Sequence, residues 1–153
     1  MPEPRRQIIL GYFEERFGIP LAVFADYRLV ERAKTYAILR ESPHVEAVAT
    51  LQVHTVGVTV LRKVRQHLKP TTVVLQHFGH QATRHIVTLT TSQLETLLQH
   101  HAFALTLAIQ PGYVILRYQS HILGCGLYLP GCLRSQLPFR QLRSSTRGHF
   151  DNA

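Results

Sequence analysis

PGYVILRYQSHILGCGLYLPGCLRSQLP, residues 111–138, carries the alternation that decides the fold. Tyr113, Ile115 and Arg117 point one way along an extended chain while Val114, Leu116 and Tyr118 point the other, the period of a β-strand. Gly112, Gly124, Gly126 and Gly131 punctuate the run, and glycine permits a sharp turn or the close approach of another backbone. Arg117 and Arg134 lie within it, and it has no acid. The stretch predicts strands over 113–119, 122–129 and 133–137, folded as a compact antiparallel ribbon with a positively charged edge.

Working upstream, residues 103–109 and 85–89 predict two more strands. Between them Ser92-Gln93-Leu94-Glu95 has the form of a capping box opening a helix through His100. Lys69-Pro70-Thr71-Thr72 marks a boundary: Pro70 breaks what precedes it, and Thr71 or Thr72 caps the next helix. On that helix Val74, Phe78 and Ala82 share a face, with Leu75 beside them. Nearer the start, Ile8, Ile9, Tyr12, Phe13 and Phe17 have helical spacing and Gly18 is a natural stop. A short helix over 21–27 carries Val23 and Phe24, and strands are expected over 35–40, 45–54 and 57–64, with 29–34 as a helical extension into the first. The expected fold class is α+β: a small α/β N-terminal lobe over 1–68, a mixed β-barrel over 69–145 and a flexible tail over 146–153.

The 153 residues suffice for one ordinary domain or two small ones, and 45% hydrophobic content supports a core. Charge is unevenly spread. Seven bases balance seven acids in residues 1–46, whereas from Ala47 to Phe150 ten Lys or Arg stand against Glu95 alone. Such a one-sided field concentrates polyanions at the surface and speeds encounter with them. Cys125 and Cys132, the only cysteines, are expected as buried free thiols of a reducing cytoplasm. MPEPRRQIIL lacks the apolar core of about 7–15 residues that a secretory signal needs. No apolar run reaches the roughly 20 residues of a membrane span. A cytoplasmic protein with no membrane partner is expected.

The ordered set Gly112-Tyr113-Val114, Tyr118-Gln119, Leu123-Gly124-Cys125-Gly126, Gly131-Cys132-Leu133-Arg134-Ser135 and Pro138 resembles a known signature. It is similar to the C-terminal PUA-like RNA-binding domain of RsmF-type (Sun family) rRNA cytosine-5 methyltransferases. Arg134 stands where that family usually has Lys, so the charge is kept. Ser120 and His121 replace a common turn glycine, which predicts a different turn geometry. The element order, with Arg16-Phe17-Gly18-Ile19-Pro20, Lys69-Pro70 and Phe78-Gly79, also resembles ribosome-biogenesis proteins of the pre-PUA plus PUA type.

The resemblance implies a pre-PUA-like lobe followed by a PUA-like barrel, and RNA as the partner, either rRNA or tRNA. It places the RNA-facing groove between the first barrel helix and its neighbouring strands, on Lys69, Thr71, Thr72, His80 and Arg84 beside Arg134 and Ser135. Arg140 and Arg143 join this face by lying close to the signature in sequence. Tyr128 is nearby, while Tyr113 and Tyr118, in strands, are expected to serve the core rather than stack on bases.

No catalysis is expected from this chain. It has no G-x-G-x-x-G for S-adenosylmethionine and neither cysteine follows a proline, so the catalytic half of the resembling family is missing. A separate methyltransferase or ribosome-assembly protein is left open as a partner. Of the ten histidines, His77, His80 and His85 or the pair His100-His101 have spacings that invite a metal, but no Cys-x-x-Cys or His-Glu-x-x-His supplies the remaining ligands. Neither a metal nor a cofactor is expected. The alternative to RNA binding is a basic protein–protein interaction module within a ribosome-assembly or methyltransferase complex.

Overall fold

The computed structural model describes residues 2–40 and 57–138. The expected strand over 45–54, Arg140, Arg143 and the tail lie outside them. The chain is mixed α+β and divides into two compact units, Met1–Arg84 and His85–Ala153.

The first unit opens with α1 (Glu3–Phe17), which ends at Gly18 in the left-handed conformation, φ 70°. A side chain there would collide with Thr83 Oγ1, so this stop has both a conformational and a spatial cause. Leu10, Phe13 and Phe17 of α1 are buried. A 3-10 turn (Leu21–Phe24) follows and brings the Phe24 ring 5.3 Å from Phe13 and 4.9 Å from Phe78. Then come β1 (Tyr27–Glu31), β2 (Thr35–Arg40), β3 (Val58–Val64) and β4 (His67–Pro70), an antiparallel sheet in that order. Residues 29–34 therefore do not extend a helix: Leu29 to Glu31 pair along β2, and Leu29 is buried in the core.

Pro70 ends the element before it, as expected, but that element is strand β4, in which Lys69 and Pro70 still pair with Arg62 and Leu61. The N–H that proline lacks is tolerable because β4 is the edge of the sheet among the described strands. Thr71 then caps α2 (Thr72–Phe78): its hydroxyl accepts from the Val74 N–H at 3.2 Å and donates to the Thr59 carbonyl at 2.8 Å. That second bond ties the helix start to β3, and α2 belongs to the first compact unit. The compact-unit boundary thus falls between Arg84 and His85. Ala82 lies beyond α2, after a 3-10 turn at Gly79–Gln81.

The second unit is a five-stranded half-barrel, ordered β5-β7-β8-β9-β6, over one helix. Its elements are β5 (Ile86–Leu89), α3 (Thr91–His100), β6 (Ala102–Ala104), β7 (Gly112–Tyr118), β8 (His121–Leu129) and β9 (Cys132–Ser135). Both edge strands, β5 and β6, touch α3, so the sheet curls around it. Leu97 of α3 packs with Val87, Leu89, Val114, Leu116, Tyr128 and Leu133. β5 runs parallel to β7, with α3 in the connection between them.

The capping box lies two residues before the expected one: Thr90 accepts from Gln93 N–H at 3.1 Å and Gln93 Oε1 accepts from Thr90 N–H at 2.9 Å. Thr-x-x-Gln satisfies the free helix N–H groups as well as Ser-x-x-Glu does, and β5 ends one residue earlier, at Leu89. β6 is shorter than the expected 103–109 because only Ala102, Phe103 and Ala104 find partners on β9. A bulge separates Leu116, paired with Gly124, from Arg117, paired with Ile122. Gln119, at φ 53°, takes the left-handed position in the β7–β8 turn where glycine is absent. Pro130-Gly131 joins β8 to β9 with Gly131 at φ 81°, the order a type II turn requires.

Candidate nucleic-acid interface

The residues expected to face RNA have different fates. Thr71 and Thr72 are buried, and the Thr71 hydroxyl is occupied by the cap and the Thr59 carbonyl. Arg84 closes α1: its Nε donates to the Glu15 carbonyl at 3.1 Å and its Nη2 to the Glu14 carbonyl at 2.5 Å. A guanidinium there also complements the negative end of the helix. His80 is exposed on the 3-10 turn after α2. Lys69 is half-buried on β4, directly across from Arg62.

Arg134 is exposed on β9, between Leu127 of β8 and Ala102 of β6. It alternates with the buried Leu133, so it points to the sheet face opposite α3. Arg117 shares that face, its Nε donating to Thr88 Oγ1 at 3.0 Å. Ser135 Oγ accepts from the Leu137 N–H at 3.2 Å, and the Ser135 N–H donates to the His101 carbonyl at 2.8 Å. This last bond sets the C-terminal turn of α3, with exposed His100, beside Arg134. Glu95 is the one acid among the described residues of this unit.

Tyr128 is buried, with no ring face open to solvent, and its hydroxyl bonds both the N–H and the carbonyl of Leu107, at 2.8 and 3.1 Å. Tyr113 and Tyr118 are half-buried, and burial, with Cys125 second, raises the Tyr113 phenol above its ordinary pKa. Both cysteines are free thiols, Cys125 buried and Cys132 half-buried. Among the described residues no three His, Cys, Asp or Glu side chains are grouped to hold a metal, and no helix is long and apolar enough to cross a membrane.

A basic cluster that sequence reasoning did not assign lies in the first unit. The β1–β2 turn and the β3–β4 hairpin emerge at the same end of the sheet, because Thr35 pairs with Arg62 and the Lys63 N–H donates to the Lys34 carbonyl. Lys34, Arg62 and Arg65 are all exposed there. Glu31, at the end of β1, is already engaged: Arg5 Nη2 is 2.6 Å and Lys63 Nζ 2.9 Å from its carboxylate. The Lys63 hydrogen bond, followed by the Arg5 charge, holds the Glu31 carboxyl below its usual pKa against the opposing effect of desolvation. Lys63 itself lies over the Tyr36 ring, 4.7 Å from its centre. The only sequence signal for this cluster was Arg62-Lys63-x-Arg65; Lys34 joins it through strand pairing.

No protein-family model matches the chain, and no curated protein matches it significantly in sequence.

Proposed function

We propose that this chain is an RNA-binding protein that acts on rRNA or tRNA in ribosome biogenesis or RNA modification, with no catalytic activity of its own. In this reading the second unit is a PUA-like barrel, the first a pre-PUA-like lobe, and the protein works in the cytoplasm. The observation that carries it is Arg134. It stands in the signature segment, exposed on β9, in a unit whose one described acid is Glu95. A guanidinium presented in this way binds phosphate oxygens through a planar fork. Arg117 on the same face extends the field. Of the residues expected from the sequence, Arg134 is the contact assigned to the second unit, and Lys69 and His80 are those assigned to the first; Arg140 and Arg143 lie outside the described residues. Thr71, Thr72 and Arg84 serve the fold.

The test is fluorescence anisotropy with a structured RNA, a single-stranded RNA and a DNA duplex over a salt series. RNA should bind more tightly than duplex DNA at equal salt, since only RNA offers the 2′-hydroxyl and splayed bases. Three to five phosphate contacts give a logarithmic salt slope of roughly −2 to −3.5 on single strands. Equal affinity for RNA and DNA duplex, or none for either, would favour the basic protein-interaction module.

A further inference from the structure

We infer that the tips of the β1–β2 turn and the β3–β4 hairpin form a second RNA contact surface, on which Lys34, Arg62 and Arg65 hold the phosphate backbone. The inference rests on the RNA-binding function proposed above but uses other residues, all three in the first unit. All three side chains are exposed, and among the described residues none is joined to an acid. Among the described residues Glu31, at the end of β1, is satisfied by Arg5 and Lys63 and is not paired with any of the three.

Two features set this cluster apart from a solubilising surface, because each works against stability. Arg62 stands directly opposite Lys69 across the ladder, and like charges so placed repel. Arg65 sits at φ 57° in the hairpin turn, a conformation that suits glycine or asparagine and strains a longer side chain. Among the described residues neither arginine side chain has a hydrogen bond or ion pair that recovers that cost. A polyanion supplies the missing partner.

Phosphate fits better than an acidic protein surface. Protein interfaces centre on apolar and aromatic groups with charges depleted from the middle. Here the two turn tips present guanidinium and ammonium groups, and Val64, 39% exposed, is the large exposed apolar side chain beside the β3–β4 turn, Val58 lying at the far end of β3. Arginine forks match phosphate oxygens in pairs.

The experiment compares the full chain with Lys34→Gln/Arg62→Gln/Arg65→Asn, using a fluorescein-labelled RNA stem-loop with a single-stranded tail across a salt series. Three lost contacts should flatten the logarithmic slope by about 2 and weaken binding roughly 100-fold at about 0.1 M salt. The melting temperature should hold or rise, because asparagine suits the turn and glutamine removes the repulsion. Arg62→Lys/Arg65→Lys, which keeps the charge, should keep the slope. If the triple variant loses its fold, Lys34→Gln alone, in an exposed turn, should still flatten the slope by about 0.7. An unchanged slope in a folded variant, while wild type binds RNA, overturns this surface and leaves the proposed function standing. Failure of wild type to bind any RNA overturns both. Hairpin-dependent binding to poly-glutamate in preference to RNA assigns the surface to an acidic protein instead.

Discussion

Arg62 on β3 and Lys69 on β4 occupy directly opposed positions in an antiparallel ladder, two cations facing each other at the sheet edge. Opposed like charges cost a few tenths to about 1 kcal/mol in such a pair. Arg62→Gln is therefore expected to stabilise the protein by about 0.2–1 kcal/mol, read as a higher urea midpoint at unchanged slope. A lower midpoint would mean that Arg62 supports the sheet through its aliphatic stem, and the repulsion argument would fall.

Glu31 predicts the acid behaviour of the same unit. Its carboxylate accepts from Lys63, Arg5 and, at 3.3 Å, from the Tyr36 hydroxyl. Lys63 and Arg5 depress its pKa in the folded state. A depressed carboxyl contributes stability that is fully present above the ordinary value of about 4.3 and is lost as pH falls through the folded one. Melting temperatures measured from pH 6 down to pH 3 should therefore fall, and less steeply below about pH 4.3 in Glu31→Gln. Parallel profiles for the two proteins would remove Glu31 from the acid transition.

Arg84 and Thr71 separate folding from binding. Arg84 holds the Glu14 and Glu15 carbonyls at the end of α1, and Thr71 caps α2 while holding β3. Arg84→Ala should cost about 1 kcal/mol, since the charge-assisted bonds are exposed, and Thr71→Val about 1–2 kcal/mol. Thr71→Ser should recover most of the loss. In each variant the salt slope of RNA binding should equal that of wild type; a flatter slope in Arg84→Ala would return Arg84 to the RNA face.

The β7–β8–β9 ribbon was legible because its alternation and Pro-Gly turn are local signals. Strand β4 was not, since Lys69-Pro70 looks like a break unless the edge position of the strand is known. The capping box slipped by two residues because Thr90-x-x-Gln93 and Ser92-x-x-Glu95 offer equivalent chemistry, and the end of β5 decides between them. Arg134 was singled out from sequence because it lies within the resembling signature, and the structure leaves it exposed on β9. The cluster of Lys34, Arg62 and Arg65 was missed because it depends on β2–β3 pairing, which joins positions far apart in the chain. Thr71 and Arg84 looked like ligand contacts because a free hydroxyl and a free guanidinium are indistinguishable, in sequence, from ones committed to helix ends.

Gly126 and Gly131 offer a contrast between lack of space and backbone conformation. A Cβ on Gly126 would stand 2.8 Å from Leu116 Cδ2, which is fully buried in the core over α3. A Cβ on Gly131 would meet nothing within 4 Å, but the residue sits at φ 81°. Gly126→Ala should therefore overpack the core and cost about 1–3 kcal/mol. Gly131→Asn should be nearly neutral, because asparagine accepts the left-handed conformation. Gly126 also pairs with Ser135, next to Arg134, so the shift forced on β8 should reach Arg134. Chemical denaturation and RNA anisotropy on both variants check the pair. Weaker binding with lower stability is expected for Gly126→Ala, and wild-type values in both for Gly131→Asn. The opposite ranking would show that the turn, not the room left for Leu116, limits this half-barrel.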